Sequence, residues 1–185
     1  EKSKPIFDYC RENNVRLLYA SSAGAHEWWQ NPYAITKKAN ELMEPPNSVG
    51  MRFFNVWSEE GSREDMLYRM LKDKTATYLT RHKRDWIHVN DVCRAIAYIM
   101  TSEYTGHIDI GTGESTSVLD LAKAMGMDYL PIKEDTPGEP DSLCADTSAL
   151  TSLGWFPTIN ILDSIKRNES PELATPLQEG AKTNA

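Results

Sequence analysis

The chain has little cysteine and no long apolar run. Its 185 residues include three cysteines, Cys10, Cys93 and Cys144, which lie far apart and form no C-x-x-C pair. This spacing argues against a zinc site and against a disulfide framework, and it is typical of a reducing compartment. No apolar run approaches the ~18 residues of a membrane span, and the first residues lead into no signal-peptide core. We therefore expect a cytoplasmic protein with no bound metal and no membrane partner.

The chain also lacks an excess of positive charge. Twenty Lys and Arg residues stand against twenty-seven Asp and Glu residues, which gives a formal net charge of -7. The basic residues are scattered along the sequence, so no nucleic-acid partner is indicated. The histidines show no metal-ligand spacing. This composition favours a small-molecule partner.

Helical and strand patterns alternate along the chain. Apolar runs predict strands at 15–20, 49–54, 76–79, 86–89 and 108–110, and helices are predicted at 6–13, 33–43, 63–72, 90–100 and 116–125. Asn90 and Asp146 are predicted to cap helices. Strands separated by such helices favour right-handed crossovers and a parallel sheet covered on both faces. The predicted fold class is therefore α/β.

One part of a doubly wound sheet is not found in the sequence. Such a sheet normally begins with a strand and a glycine-rich turn that receives the cofactor pyrophosphate, and no G-x-x-G-x-x-G pattern precedes Val15. The Gly111-Thr112-Gly113 turn has Thr116 in place of a third glycine. We expect the front half of the domain to lie on another segment or chain, and residues 1–185 alone to show no turnover.

Tyr33 and Lys37 are the first candidates for catalysis. They lie four residues apart in a predicted helix, one turn or about 6 Å of rise, and hence on one face. A nearby cation favours the phenolate and lowers a phenol pKa from ~10, which makes tyrosine a usable proton donor and acceptor. Surface helices also carry such a pair by chance. The context favours chemistry, because Ser21 and Ser22 follow a strand at its carboxyl end, where ligands bind in open α/β sheets.

Six blocks in a fixed order carry a family resemblance. They are Tyr19-Ala20-Ser21-Ser22-Ala23, Asn31-Pro32-Tyr33-Ala34-Ile35-Thr36-Lys37, Met51-Arg52-Phe53-Phe54-Asn55-Val56, the segment from Arg84 to Val92, Asp109-Ile110-Gly111-Thr112-Gly113, and Ala145-Asp146 with Leu153-Gly154-Trp155-Phe156-Pro157. Over roughly residues 15–167 the chain resembles the extended short-chain dehydrogenase/reductases of the NAD-dependent epimerase/dehydratase family, which includes UDP-glucose 4-epimerase-like enzymes.

The resemblance implies a cofactor and catalytic roles. The cofactor would be NAD, with NADP as an alternative. Tyr33 would be the catalytic acid/base, Lys37 would assist it and hold the nicotinamide ribose, and Ser21 would lie at the cofactor with them. Ser22 would orient the reacting sugar hydroxyl. For either serine alone, loop or capping chemistry is the alternative.

The resemblance also implies a nucleoside-diphosphate sugar as substrate. Asn55 would face the sugar nucleotide and Arg84 would clamp its diphosphate, since guanidinium binds phosphate oxygens in pairs. An ion pair between Arg84 and Asp85 or another acid is an equal alternative. In the C-terminal segment, Thr136-Pro137-Gly138-Glu139 lacks the arginine that the family often has there.

The reaction implied is NAD-dependent epimerisation through a transient keto sugar. Epimerase is favoured over 4,6-dehydratase because Ala23-Gly24, in place of an Asp-Glu pair, follow Ser22. Dehydratase, keto-sugar reductase and a non-catalytic remnant that binds a sugar nucleotide or a protein are the alternatives, and a homodimer is one further possibility. Only ten residues separate Ser22 from Tyr33, a short loop for the family that contains Trp28 and Trp29.

The resemblance gives the domain organisation. Residues 1–56 are expected to be the C-terminal part of the dinucleotide-binding domain. Residues 57–168 would form mainly a smaller interleaved α/β substrate lobe, with about 84–102 returning to the cofactor domain. The whole would be the C-terminal half of a doubly wound, Rossmann-like parallel sheet. Residues 169–185 are predicted to be a disordered tail, because they lack apolar periodicity.

Overall fold

The computed structural model describes residues 2–134 and 138–169, which form helices and strands in alternation. The helices are α1 (Lys4–Glu12), α2 (Pro32–Met43), α3 (Leu67–Lys72), α4 (Val89–Met100), α5 (Val118–Ala124), α6 (Ser148–Ser152) and α7 (Ile161–Glu169). The strands are β1 (Leu17–Ser22), β2 (Ser48–Phe53), β3 (Asn55–Trp57), β4 (Lys83–His88), β5 (Gly106–Ile110), β6 (Ser115–Ser117) and β7 (Ser142–Leu143). Of the predicted tail, Glu169 ends α7, and the rest lies outside the described residues.

Strands β1, β2 and β5 form a parallel sheet in the order β1-β2-β5. One face is apolar: Val49, Ile108 and Ile110 are almost fully buried. They pack in one cluster with residues of α4 and α6 and with Trp155, which lies after α6. Side chains alternate between the two faces of a strand, so the residues between these apolar positions lie on the other face. That second face is polar, and α2 contributes the buried Glu41 to it.

The second sheet is built around β4. Strand β3 pairs parallel with β4, β6 pairs antiparallel with it, and β7 pairs parallel with its first residues. Helices α3, α5 and α7 supply the apolar residues that cover this sheet, and Trp57, Tyr68, Leu71, Trp86 and Leu121 lie at the centre of their cluster. The two sheets meet in sequence where β2 ends and β3 begins, around Phe54.

Several predicted boundaries differ from the structure. The strand predicted at 76–79 is reduced to one isolated bridge at Leu79. The helix predicted from Thr116 begins at Val118, because Thr116 pairs with Arg84 as part of β6. The N-cap of α4 is His88, whose Nδ1 accepts a hydrogen bond from the Asn90 backbone N–H at 3.2 Å, and not Asn90 itself. Tertiary pairing and a histidine cap thus override the local preferences.

The predicted cap at Asp146 is displaced by one residue. The N-cap of α6 is Thr147, while the Asp146 carboxylate accepts a hydrogen bond from the Ser148 backbone N–H at 3.0 Å.

In the part of the chain that the structure describes, no helix has the length and apolar character to cross a membrane. Nor do three or more His, Cys, Asp or Glu side chains within 2–134 and 138–169 gather as metal ligands would.

Candidate functional site

Helix α2 presents Tyr33 and Lys37 at the carboxyl end of β1. Its N-cap, Asn31, accepts a hydrogen bond from the Ala34 backbone N–H at 2.9 Å, and a proline at the first helical position fits the helix start. The Lys37 ammonium donates to the Ala20 carbonyl at 3.0 Å and lies 5.6 Å from the centroid of the Tyr33 ring. Tyr33 is 59% exposed. The predicted pair therefore shares one helix face, with the phenol open to a ligand.

Ser21 and Ser22 point in opposite directions, as neighbours on a strand do. Ser22 is half-buried, and its hydroxyl oxygen accepts a hydrogen bond from the Gly24 backbone N–H at 3.2 Å. Ser21 is buried, and its hydroxyl donates to the carboxylate of Glu41 at 2.7 Å. The predicted contact between Ser21 and the cofactor stays a prediction, and in the structure its hydroxyl has an internal partner.

Ser22, Asn55 and Arg84 line one cavity of about 240 Å³, which we call the central cavity. The chain reaches it from the end of β1 and from the starts of β3 and β4, so three predicted site residues that lie far apart in sequence are brought together. Tyr33 and Lys37 are not among its lining residues, but Asn31 is, and Tyr33 follows Asn31 by two residues. The other lining residues are Ala23, Gly24, Glu27, Gln30, Asn31, Phe53, Phe54, Met66, Gly138, Glu139, Pro140 and Leu143.

Arg84 is held by the segment that follows Gly138. Its guanidinium donates to the Pro140 carbonyl at 2.8 Å and to the Lys83 carbonyl at 2.9 Å, and it forms an ion pair with Glu139 at 3.3 Å. Of the two alternatives raised by the sequence, the structure shows the ion pair, with Glu139 as the acid. The predicted diphosphate clamp stays a prediction, and the guanidinium is already oriented at the wall of the cavity.

Asp85 has a role that the sequence did not reveal. It is fully buried, and its carboxylate accepts hydrogen bonds from the backbone N–H groups of Thr112, Gly113 and Ala145 at 2.8, 2.9 and 3.1 Å. A Cβ at Gly111 would lie 2.5 Å from the Ala145 Cβ and 2.7 Å from an Asp85 oxygen. The glycine turn therefore serves close packing around a buried carboxylate.

The polar face of the β1-β2-β5 sheet contains a second set of residues missed in the sequence. Arg52 donates two hydrogen bonds of 2.8 Å to the carboxylate of Glu41. Burial alone would raise the pKa of Glu41, but the hydrogen bonds from Arg52 and Ser21 and the Arg52 charge outweigh it and lower that pKa to about 2. His26, in the loop between Ser22 and α2, lies 2.8 Å from Asp109. This charge layer, Glu41, Arg52, Asp109 and His26, ties that loop to the sheet.

A second cavity of about 310 Å³ shares Asn55, Arg84 and Glu139 with the central cavity. Tyr78 and Trp86 are among its other lining residues. The Trp86 indole N–H is buried and has no hydrogen-bond partner among the described residues. The two cavities therefore adjoin at Arg84, and the wall of the second one includes Trp86, whose indole N–H has no partner among the described residues.

Comparison with known proteins gives one family. The family model described as the NAD dependent epimerase/dehydratase family matches residues 2–111, more than half of the chain. An uncharacterized 37.6 kDa protein of Escherichia coli O111:H- is 27% identical, over 87% of this chain and 64% of its own length. The chain thus spans less than two thirds of that curated relative.

Solved structures of epimerases share the fold. The UDP-glucose 4-epimerase of Thermotoga maritima, solved with UDP-glucose, superimposes with a TM-score of 0.72 at 20% identity, over 87% of this chain and 64% of that one. The UDP-glucuronic acid 4-epimerase of Bacillus cereus, in complex with NAD and a fluorinated UDP-glucuronic acid, gives 0.74 at 20% identity, over 89% and 63%. The predicted α/β, Rossmann-like fold class is confirmed by this likeness. From the family match, this chain belongs to the NAD dependent epimerase/dehydratase family.

Proposed function

We propose that this chain supplies the catalytic and substrate-binding residues of an NAD-dependent nucleotide-sugar epimerase. The observation that carries the proposal is the convergence of Ser22, Asn55 and Arg84 on the central cavity, whose lining residue Asn31 also caps the helix that presents Tyr33 and Lys37. A hydroxyl, an amide and a guanidinium around one cavity are the groups that a phosphorylated sugar requires.

Tyr33 would exchange the proton of the reacting sugar hydroxyl. Its phenol is exposed and has the Lys37 ammonium beside its ring, so positive charge is available to stabilise the phenolate. Ser22 would hold the same sugar hydroxyl, because its oxygen already accepts from Gly24 and its own proton has no acceptor among the described residues. The three side chains would thus move one proton to and from one oxygen.

The residues present fit one end of NAD. Lys37 and Tyr33 lie at the carboxyl edge of the parallel sheet, where they would hold the nicotinamide ribose. When bound, NAD would accept a hydride from the sugar carbon and return it to the opposite face of the ring. The seat for the cofactor pyrophosphate is expected on the segment or chain that carries the other half of the sheet, with which this chain would act.

The nucleoside diphosphate would lie across the two adjoining cavities. Arg84 stands where they meet and would bind the diphosphate, while Asn55 lines both cavities beside it. Binding would require the diphosphate to share Arg84 with Glu139.

Calorimetry with UDP-glucose and with NAD tests the proposal. We expect residues 1–185 to bind UDP-glucose and not NAD, and Arg84→Ala to weaken UDP-glucose binding by about tenfold or more, because one charge-assisted hydrogen-bond donor is lost. Tyr33→Phe should retain UDP-glucose binding, since it removes only the reacting hydroxyl. Unchanged affinity in Arg84→Ala would contradict the clamp, and binding of neither ligand would favour the non-catalytic remnant.

A further inference from the structure

We infer that Glu27 makes the central cavity select a neutral hexose over a uronic acid. The inference rests on the proposed function and adds the substrate class. Glu27 and Gln30 belong to the short loop between Ser22 and α2, and both side chains line the same cavity as Ser22. The loop that the sequence singled out as short therefore supplies polar groups to the substrate site.

The charges of the cavity wall do not cancel. Arg84 and Glu139 form an ion pair at 3.3 Å and offset each other. Within residues 2–134 and 138–169, the Glu27 carboxylate has no ion-pair partner; its contact is the side-chain amide of Gln30. Among the described residues that line the cavity, the charged ones are Glu27, Arg84 and Glu139, so this part of the wall carries one uncompensated negative charge. A carboxylate on the bound sugar would add a second charge of the same sign.

The same wall offers acceptors to sugar hydroxyls. Gln30 donates its amide N–H to Glu27, and its amide oxygen Oε1 is buried and has no hydrogen-bond partner among the residues that the structure describes. That oxygen has no exposed surface, whereas Glu27 is half-buried, so the carboxylate of Glu27 is the acceptor that is open to a ligand. A neutral hexose has the hydroxyl donors that match this carboxylate.

The loop is fastened so that Glu27 stays at the cavity. The Asn31 side-chain amide donates to the Gly138 carbonyl at 3.3 Å. A Cβ at Gly138 would lie 2.9 Å from the Gln30 carbonyl oxygen, so the two segments are in close contact. His26 fixes the other end of the loop through Asp109. These contacts fix the backbone on both sides of Glu27.

Competition calorimetry with UDP, UDP-glucose and UDP-glucuronic acid measures the selectivity, since the three ligands share one nucleotide. Two like charges ~6 Å apart at an effective dielectric of ~20 repel each other by an energy that corresponds to about a hundredfold weaker binding. Solvent in an open cavity screens the repulsion and makes this factor smaller. We expect UDP-glucuronic acid to bind at least about tenfold more weakly than UDP-glucose. Glu27→Gln should bring the two affinities within about threefold. The control is Glu12→Gln, which removes the same charge from the exposed end of α1 and should keep the tenfold gap.

Each outcome bears on a different claim. Equal affinities for the two UDP-sugars in the unmodified chain, or a gap that persists in Glu27→Gln, would overturn the selectivity while leaving the sugar-nucleotide site in place. Loss of the gap in both variants would assign it to net charge and overturn the role of Glu27. Binding of none of the three ligands would overturn the proposed function together with this inference. The affinity for UDP reports whether each variant is folded.

Discussion

Replacing Glu41 with glutamine tests the charge layer beneath the loop that joins Ser22 to α2. The side chain of Glu41 has no exposed surface, and Arg52 and Ser21 hold its carboxylate. Glutamine keeps the size of the side chain and removes its charge. One fully buried anion is thereby deleted from the middle of the layer, and the guanidinium of Arg52 keeps the more distant Asp109 carboxylate, at 3.9 Å, as an ionic partner.

The magnitude follows from the Glu41 pKa. Lowering this carboxyl pKa from 4.5 in the unfolded chain to about 2 corresponds to about 3 kcal/mol in favour of the folded state. Removal of one partner from a buried ion pair costs a similar amount, roughly 3–5 kcal/mol. Because the folded-state pKa is the lower one, this stability is fully present above about pH 4.5 and is lost as the pH falls toward 2.

Urea denaturation of Glu41→Gln and the unmodified chain, from pH 7 down to pH 3, measures the effect. We expect the variant to be less stable by about 3 kcal/mol at pH 7 and the difference to fall to roughly half or less near pH 3. Glu12→Gln is the control, and its exposed position predicts a change below about 0.5 kcal/mol at every pH.

Two results would refute the reasoning. A loss below about 1 kcal/mol at pH 7 would mean that the attraction within the ion pair barely exceeds the free-energy cost of burying its two charges. A loss that stays constant from pH 7 to pH 3 would mean that packing, and not ionisation, explains the effect. If Glu41→Gln is too unstable to measure at pH 7, Ser21→Ala, which removes one hydrogen bond to Glu41, should cost about 1 kcal/mol in the same assay.

Three further substitutions have distinct expected results in urea denaturation. Asp85→Asn should cost roughly 2–4 kcal/mol, because its carboxylate accepts the N–H groups of Thr112 and Gly113 inside the protein; a loss below about 1 kcal/mol would contradict this. Gly111→Ala should cost at least about 2 kcal/mol, since its Cβ would meet the Asp85 carboxylate, and an unchanged midpoint would refute the clash. Tyr33→Phe should change stability by less than about 0.5 kcal/mol, because the phenol is exposed; a larger loss would indicate a structural role.

The fold class could be predicted from the sequence because its strands are short apolar runs separated by helices. The β1-β2-β5 sheet follows from that pattern, with Val49 and Ile108 on its buried face. The strand β6 could not be predicted, because Ser115–Ser117 form no apolar run, and their strand exists through pairing with β4. The boundaries of the cofactor and substrate domains stay predictions.

The sequence predicted which residues form the candidate site better than it predicted the contacts between them. Motif order indicated Ser22, Asn55 and Arg84, and the structure places all three on one cavity. No local signal linked Arg84 to Glu139, because their contact joins positions 55 residues apart in sequence. Likewise, Glu27 belongs to no motif, and its position in the wall of the central cavity is what makes it a candidate.

The two serines at the end of β1 show how strand geometry refines a motif. Adjacent residues on a strand face opposite sides, so only one of Ser21 and Ser22 can point to a given ligand. The register places Ser21 beside Arg52 on the polar face, where its hydroxyl holds Glu41, and leaves Ser22 on the side of the central cavity. A slip of one residue would exchange these positions and turn Ser21 and its partner Glu41 toward the central cavity. The buried ion pair of Glu41 and Arg52 therefore stabilises the register that turns Ser22 toward the central cavity.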